Sequence, residues 1–384
     1  MRILSDICEV YSGYALKEFN DDGDGLPVIK IGNIMTDGSL SLTDCQYTSE
    51  MVNDKYYSKK GDIYVALSGA TTGKIGILES DGIHIINQRV GVVRRKNDNV
   101  PKEYIKYFLL RQTNRILKEA AGCAQPNISP KQIAAYEIPE IANDKMQEES
   151  YILDKLSFAI AQRKNELLQL DNLIKARFVE LFGDTVINPM GWEEHRLDEY
   201  IDFLTSGSRG WAQYFVDEEN ELFITIKNVK NNHITLDNVQ YIEAPKNKEA
   251  ERTRVKAGDL LISITADLGR TGVVDDEIAE KGAYINQHLS LVRLDKTRIN
   301  PLYVSYFLET QGGKIQFESK NQNGVKAGLN FDAIKSLKIL VPPLDIQESY
   351  LDFVAQVDKS KVVVQKALEE TQILFDSLMQ EYFG

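Results

Sequence analysis

The sequence predicts an α+β chain built as an internal repeat: two similar mixed α/β modules, each followed by a long helix. Three observations predict it. The first is a seam. Leu153, Leu156, Ile160, Leu167, Leu170, Ile174 and Leu181 alternate spacings of three and four, the pattern of a coiled-coil helix over residues 146–183, broken by Arg163 and Arg177. The second is that the seam recurs 201 positions later, at Val354, Val357, Val364, Leu368, Phe375, Leu378 and Tyr382, with Lys361 and Thr371 as its polar interruptions. Both segments open on Gln-Glu (Gln147-Glu148, Gln347-Glu348) and close on Phe-Gly (Phe182-Gly183, Phe383-Gly384). The third is that short motifs recur in one order in the region before each helix. These place the modules at residues 1–145 and 184–344, and the helices at 146–183 and 345–384.

Length and composition bound the reading. With 384 residues and 43% hydrophobic content the chain can bury substantial cores, enough for two or more domains. No apolar run reaches the ~18 residues of a transmembrane helix, and the first residues show no charged-then-apolar signal pattern, so a cytoplasmic protein is expected. Cys8, Cys45 and Cys123 are widely spaced and fit free thiols in a reducing compartment. His84, His195, His233 and His288 have no metal-ligand spacing, so no metal site is expected. The net charge of −12 argues at face value against nucleic acid. Its distribution weakens that argument, because residues 345–384 hold 3 basic and 8 acidic residues. An acidic helix can sit away from a DNA groove while basic residues on the modules form a footprint.

In the first module, residues 4–11 read as a strand or short helix leading into Ser12-Gly13, and Asp21-Asp22-Gly23-Asp24-Gly25 as a loop. Val28-Ile29-Lys30-Ile31 reads as a strand closed by Gly32-Asn33. A turn at Lys60-Gly61-Asp62 precedes a buried strand over 63–67, and residues 68–74 form a glycine-rich loop. Residues 83–93 read as a strand pair containing Asn87-Gln88-Arg89 and ending at the basic run Arg94-Arg95-Lys96. Pro101 starts a helix expected to run to Leu117, since Tyr104, Ile105 and Phe108 recur at helical spacing. A loop around Gln125-Pro126-Asn127-Ile128, a short helix over 130–135 and a strand over 136–139 lead into the long helix.

The second module repeats this frame. Asn188-Pro189-Met190-Gly191-Trp192 is its hinge. Ile224-Thr225-Ile226-Lys227-Asn228 answers residues 29–33, Gly258-Asp259 answers Gly61-Asp62, and residues 267–272 loosely answer 71–76 and keep a basic residue, Arg270 for Lys74. Ile285-Asn286-Gln287-His288 answers 86–89, and residues 301–308 answer the Pro101 helix. A repeated frame with different loop residues fits two modules of one fold with separate ligands; drifted duplicates are the bland alternative.

No enzyme motif stands out. Residues 69–74 fail as a phosphate loop, because the glycine spacing is wrong and Ile75 follows the lysine. Asn188-Pro189-Met190 lacks the aromatic of an Asn-Pro-Pro-aromatic methyltransferase signature, and no Gly-x-Gly-x-x-Gly follows a strand. The chain reads as a recognition or assembly protein.

The order of these features resembles the specificity (S) subunit of type I restriction–modification systems. The resemblance is carried by Phe182-Gly183-Asp184, Asn188-Pro189 and Gly191-Trp192, by Gln125-Pro126-Asn127-Ile128 and Val341-Pro342-Pro343-Leu344 with Gln347, and by the strand starts Gly61-Asp62 and Gly258-Asp259. It implies two target recognition domains, each reading one half of a split double-stranded DNA target. It also implies an antiparallel coiled coil that fixes the gap between half-sites in pseudo-twofold fashion. About 36 helical residues span roughly 54 Å, enough to separate domains by one ~34 Å DNA turn or more. The resemblance further implies a non-catalytic chain without cofactor of its own. Its partners would be two methyltransferase (M) subunits using S-adenosylmethionine and restriction (R) subunits using ATP and Mg2+, with no membrane.

Contact residues do not carry over from such a family, so the DNA-binding candidates come from chemistry: Lys30, Lys74 and Arg89 in the first module, Arg209, Lys227 and Arg270 in the second. A solvated surface charge is the plain alternative for each. Asn87-Gln88 and Asn286-Gln287 could read adenine, but their equivalence favours a shared structural role. Two other functions stay open: a specificity chain of a type IIB-like system, and a structural adaptor on a coiled-coil rod with no DNA role.

Overall fold

The computed structural model describes residues 2–121, 126–321 and 328–384; Cys123 and Gln125 lie outside the described residues. The long helices are Asn143–Phe182 and Leu344–Phe383, 40 residues each. The chain divides into two compact units, Met1–Glu166 with Val364–Gly384, and Leu167–Val363. Each unit therefore holds one module and a part of each long helix.

In the first unit a four-stranded antiparallel sheet runs in the order Cys8–Ser12, Val90–Arg95, Ile63–Ala66, Ile75–Ile77. A three-stranded sheet, Gln46–Thr48, Leu26–Ile29, Ile85–Ile86, lies beside it. Ile63–Ala66 is buried along its whole length, because successive side chains enter different cores. Ile63 and Val65 join Tyr104, Phe108 and Leu153 on the helical side. Tyr64 and Ala66 join Ile29, Ile34 and Ile86 on the other. A strand covered on both faces needs the continuous apolar run found there.

The second unit rebuilds this plan with additions. Its main sheet has six strands: Ile201–Ser206, Leu289–Leu294, Leu260–Ser263, Thr271–Val273, Asn232–Ile234 and Val229–Lys230. Its smaller sheet has four: Phe215–Val216, Gln240–Ile242, Glu221–Ile224 and Ala283–Ile285. Leu260 and Ile262 face the helical core, and Leu261 faces the second one. In both units a two-stranded ribbon ties the start of the module to the strand before a long helix: Arg2–Ile3 with Glu137–Ile138, and Glu194–Arg196 with Lys338–Leu340.

One helix departs from its sequence expectation. The helix from Pro101 does not run unbroken to Leu117. It forms Lys102–Arg111 and then Thr113–Ala120. At the break the Gln112 N–H is shared between the carbonyls of Phe108, 3.2 Å, and Leu109, 3.0 Å, tightening the last turn. No proline or glycine marks that break. The basic run Arg94-Arg95-Lys96, which the sequence leaves without a role, is committed to partners within the unit. Arg94 forms a two-pronged ion pair with buried Asp62, 2.6 and 2.7 Å, and donates to the Tyr57 carbonyl. Arg95 pairs with Asp98 and Lys96 donates to the Ser5 carbonyl. The second unit repeats the buried pair as Arg293–Asp259, 2.7 and 2.8 Å.

In each unit the two helix segments run antiparallel. In the first, Arg163 donates to Thr371 and the Ala367 carbonyl, while Leu153, nearer the helix start, shares a core with Met379 and Phe383. In the second, Lys361 bridges Asp171, 2.8 Å, and Asp358, 3.2 Å, while the Phe178 and Phe182 rings both lie 5.4 Å from Tyr350. The seam positions Leu153, Leu156, Ile160, Val364, Leu368, Phe375 and Leu378 of the first unit are all buried or half-buried. So are Leu167, Leu170, Ile174, Val354 and Val357 of the second. Three of the polar interruptions, Arg163, Thr371 and Lys361, thus meet partners across the helix pair. Arg177 pairs with Glu180 of its own helix, 2.8 Å away.

Cys8 and Cys45 are buried free thiols, and burial pushes the Cys8 thiol up to about 12, which suits inert core residues. Among the described residues there is no cluster of metal-ligating side chains and no helix long and apolar enough to cross a membrane.

Candidate nucleic-acid interface

In each unit the irregular segments leaving one end of the sheets meet through backbone hydrogen bonds. In the first unit Asn87 N–H donates to Ile29, 3.0 Å, which joins the turn 87–89 to the strand end before Lys30. Leu67 N–H donates to the Arg89 carbonyl, 2.9 Å, and Ala66 N–H to that of Lys74, 2.9 Å. Gln88 N–H donates to Tyr14, 2.8 Å. The second unit repeats each link: Asn286 to Ile224, 3.0 Å; Ile264 to His288, 3.0 Å; Ser263 to Arg270, 2.9 Å; Gln287 to Ser208, 3.0 Å.

Two residue types make this meeting possible. A Cβ on Gly13 would stand 2.3 Å from the Ile86 carbonyl oxygen, and one on Gly207 would stand 2.1 Å from that of Asn286, so only glycine allows the approach. Asn33 and Asn228 are buried amides that staple the short 3-10 turns after the strands. Asn33 accepts from Lys30 N–H, 2.8 Å, and donates to the Ser41 carbonyl, 3.0 Å. Asn228 accepts from Thr225 N–H, 3.0 Å, and donates to Thr235, 3.0 Å, and Asp237, 3.3 Å. The sequence-based matching of Ile29–Asn33 to Ile224–Asn228 gives the asparagines no role, and the match of Ser12-Gly13 to Ser206-Gly207 is missing from it. Their recurrence at matching positions was the available signal.

The cluster gathers Lys30, Lys74 and Arg89 in one unit and Arg209, Lys227 and Arg270 in the other. Their states differ. Arg89 and Lys227 are exposed, and among the described residues their side chains make no ion pair. Lys74 is half-buried at the end of the glycine-rich turn. Lys30 is turned inward: it bonds Gln46 and lies 3.5 Å above the Phe19 ring, and desolvation lowers its pKa. Arg270 pairs with Asp267, 2.8 Å, and Arg209 donates to Gln287. Asn87 and Asn286 cap their turns, accepting from Arg89 N–H, 3.2 Å, and His288 N–H, 3.1 Å. That is a shared structural task. An exposed rim of guanidinium, ammonium and amide groups on rigid strand ends suits polyanion backbones and base edges.

The family model for the type I restriction modification DNA specificity domain matches residues 1–170 and again 189–371. The chain belongs to that family. The type I restriction enzyme EcoBI specificity subunit of Escherichia coli is 21% identical over 416 aligned positions, covering 100% of this chain and 85% of that one. The type I restriction–modification S subunit from M. genitalium has the same fold, with TM-score 0.62, 14% identity, and coverage of 100% and 95%. A chain solved in work on assembly and conformational transition of the type I R-M system superposes with TM-score 0.53 at 16% identity, covering 100% and 96%. The two matches of the specificity domain fall on the two halves whose loop clusters correspond link for link.

Proposed function

We propose that the chain reads a split double-stranded DNA target, one half-site per loop cluster, as the non-catalytic specificity subunit of a methylation and restriction complex. The observation that carries this is the repeated loop cluster: the same backbone frame presents different side chains in the two units. A shared frame supplies equivalent docking, and distinct side chains supply distinct sequences. The antiparallel helix segments serve as the spacer that sets the gap between half-sites. Membership of a DNA specificity family supports the same reading. The net charge of −12 does not oppose it, since the most acidic segment is the C-terminal helix, not the loop rims.

The chain needs no cofactor of its own in this scheme. Methyltransferase subunits bring S-adenosylmethionine and the methyl transfer; restriction subunits bring ATP and Mg2+. The test is assembly with cognate methyltransferase subunits, followed by mapping of methylated bases. Exchanging residues 1–140 for those of another family member should replace one half-site and leave the other. An unchanged target after such exchanges would refute the reading. Binding of duplex DNA by the assembled complex should also weaken steeply with salt, as phosphate contacts require.

A further inference from the structure

The rims of the two loop clusters are not alike. In the second unit four side chains form a hydrogen-bonded row. Arg209 Nε donates to Gln287 Oε1. Gln287 Nε2 lies 3.1 Å from His288 Nε2, and His288 Nδ1 lies 2.7 Å from Thr265 Oγ1. The bonds fit together chemically. With Gln287 Oε1 accepting from a guanidinium, its amide nitrogen must donate, so His288 Nε2 accepts and Nδ1 carries the proton toward Thr265. Backbone bonds fix the row from below, through Gln287 N–H to Ser208 and Ile264 N–H to His288. Arg209 is exposed, while Gln287, His288 and Thr265 are half-buried.

The first unit has none of this row. Ala15 occupies the place of Arg209, Gln88 that of Gln287 and Arg89 that of His288. Its rim guanidinium stands on the turn itself. In the second unit it stands on the neighbouring loop and is held across to the turn. Gln88 is exposed, and among the described residues its amide makes no side-chain bond. The equivalent glutamine therefore does in one unit a task it does not do in the other.

We propose that Gln287 is a positioning residue that aims Arg209 at a guanine in the half-site of the second unit. An arginine held through Nε keeps its two terminal nitrogens parallel and outward, the arrangement that meets guanine O6 and N7 together. A phosphate contact would not need such a hold, because an ammonium or a freely rotating guanidinium serves as well. The inference rests on the DNA-reading function proposed above and gives it a residue and a base.

The test uses the full chain assembled with its methyltransferase subunits and a library randomised over both half-sites, with methylated sequences counted. Arg209→Lys should lower guanine preference at one position of one half-site by roughly ten- to hundredfold. Gln287→Ala should relax the same position by roughly three- to tenfold. Gln287→Glu, which still accepts from Nε, should keep the preference. The other half-site should be unaltered in all three. Uniform loss across positions, or base preferences unchanged by Arg209→Lys and Gln287→Ala while the wild-type complex still shows its split target, would overturn the inference alone. A wild-type complex with no split target would overturn the function and the inference together.

Discussion

The two units solve one packing problem with different chemistry. Both place a wholly buried strand between two cores, and both fasten a 3-10 turn with one buried asparagine. The first joins its helix segments through the core that Leu153 shares with Met379 and Phe383 and through the Arg163–Thr371 contact, with Ile160 buried between them in sequence. The second puts Lys361 at the position answering Ile160 and runs a chain of charges there. His233 of the Asn232–Ile234 strand lies 3.5 Å from Asp358, and Lys361 links Asp358 to Asp171 on the other helix. Partial burial opposes ionisation of Asp358, yet His233 and Lys361 hold its carboxyl below the usual range. The lesson is that duplication preserves backbone connections, which every loop depends on. Side chains drift wherever the backbone does not depend on them.

Matched substitutions in the two units separate what they share from what has drifted. The largest effect should come from the feature the units share. Arg293→Ala leaves Asp259, 1% exposed, without its partner and should cost about 3–5 kcal/mol in denaturant unfolding. Arg94→Ala should cost as much through Asp62, 2% exposed. Clearly unequal losses would show that the two pairs are not equivalent supports.

Next come the asparagine staples. Asn228→Ala should cost about 1–3 kcal/mol, because two carbonyls and a backbone N–H lose their partner. Asn33→Ala should cost less, since the Asn33 amide reaches only one carbonyl, beside the sulfur of Cys45. The reverse order would mean that the turns bear load differently from what their bonds imply.

On DNA the expected effect is smaller and local. Arg89→Ala in the assembled complex should weaken binding and, if the guanidinium meets a phosphate, reduce the salt slope by about one. Lys30→Ala should change the slope little, because its ammonium is already committed to Gln46 and the Phe19 face. Filter binding across a salt series separates the two.

The smallest difference concerns pH. Burial lowers the pKa of His84, whose Nδ1 lies 3.0 Å from the Gly82 carbonyl. Bonds to Glu199 and Glu193 raise that of His195. Below the unfolded value of about 6.5 the unfolded chain binds a proton that folded His84 resists, so acidification there destabilises the first unit. The stabilisation from His195 is fully present below about 6.5 and is lost as pH rises through its higher folded value. Amide exchange in Ile63–Ala66 should therefore speed up relative to Leu260–Ser263 between about pH 7.5 and 5.5. A parallel response in both strands would count against this assignment.

Much of this architecture was legible in the residues. The seam from Leu153 to Ile174 and its copy from Val354 to Leu378 needed only spacing, because helix periodicity is local. So did the strand starts at Gly61-Asp62 and Gly258-Asp259. The break at Gln112 was not legible, because no residue there is a helix breaker. Nor was the use of Arg94, whose carboxylate partner lies 32 residues away and reads as surface charge.

The repeat, the two long helices and the matching loops follow from local spacing and from positions where only glycine or a capping asparagine fits. Which charges stay unpaired among the described residues depends on packing. Lys30 and Arg94 turn inward, Arg89 and Lys227 stay out, and Arg209 is taken up by Gln287. Whether a basic side chain meets a partner depends on residues far away in sequence, brought close when the sheets and helices pack.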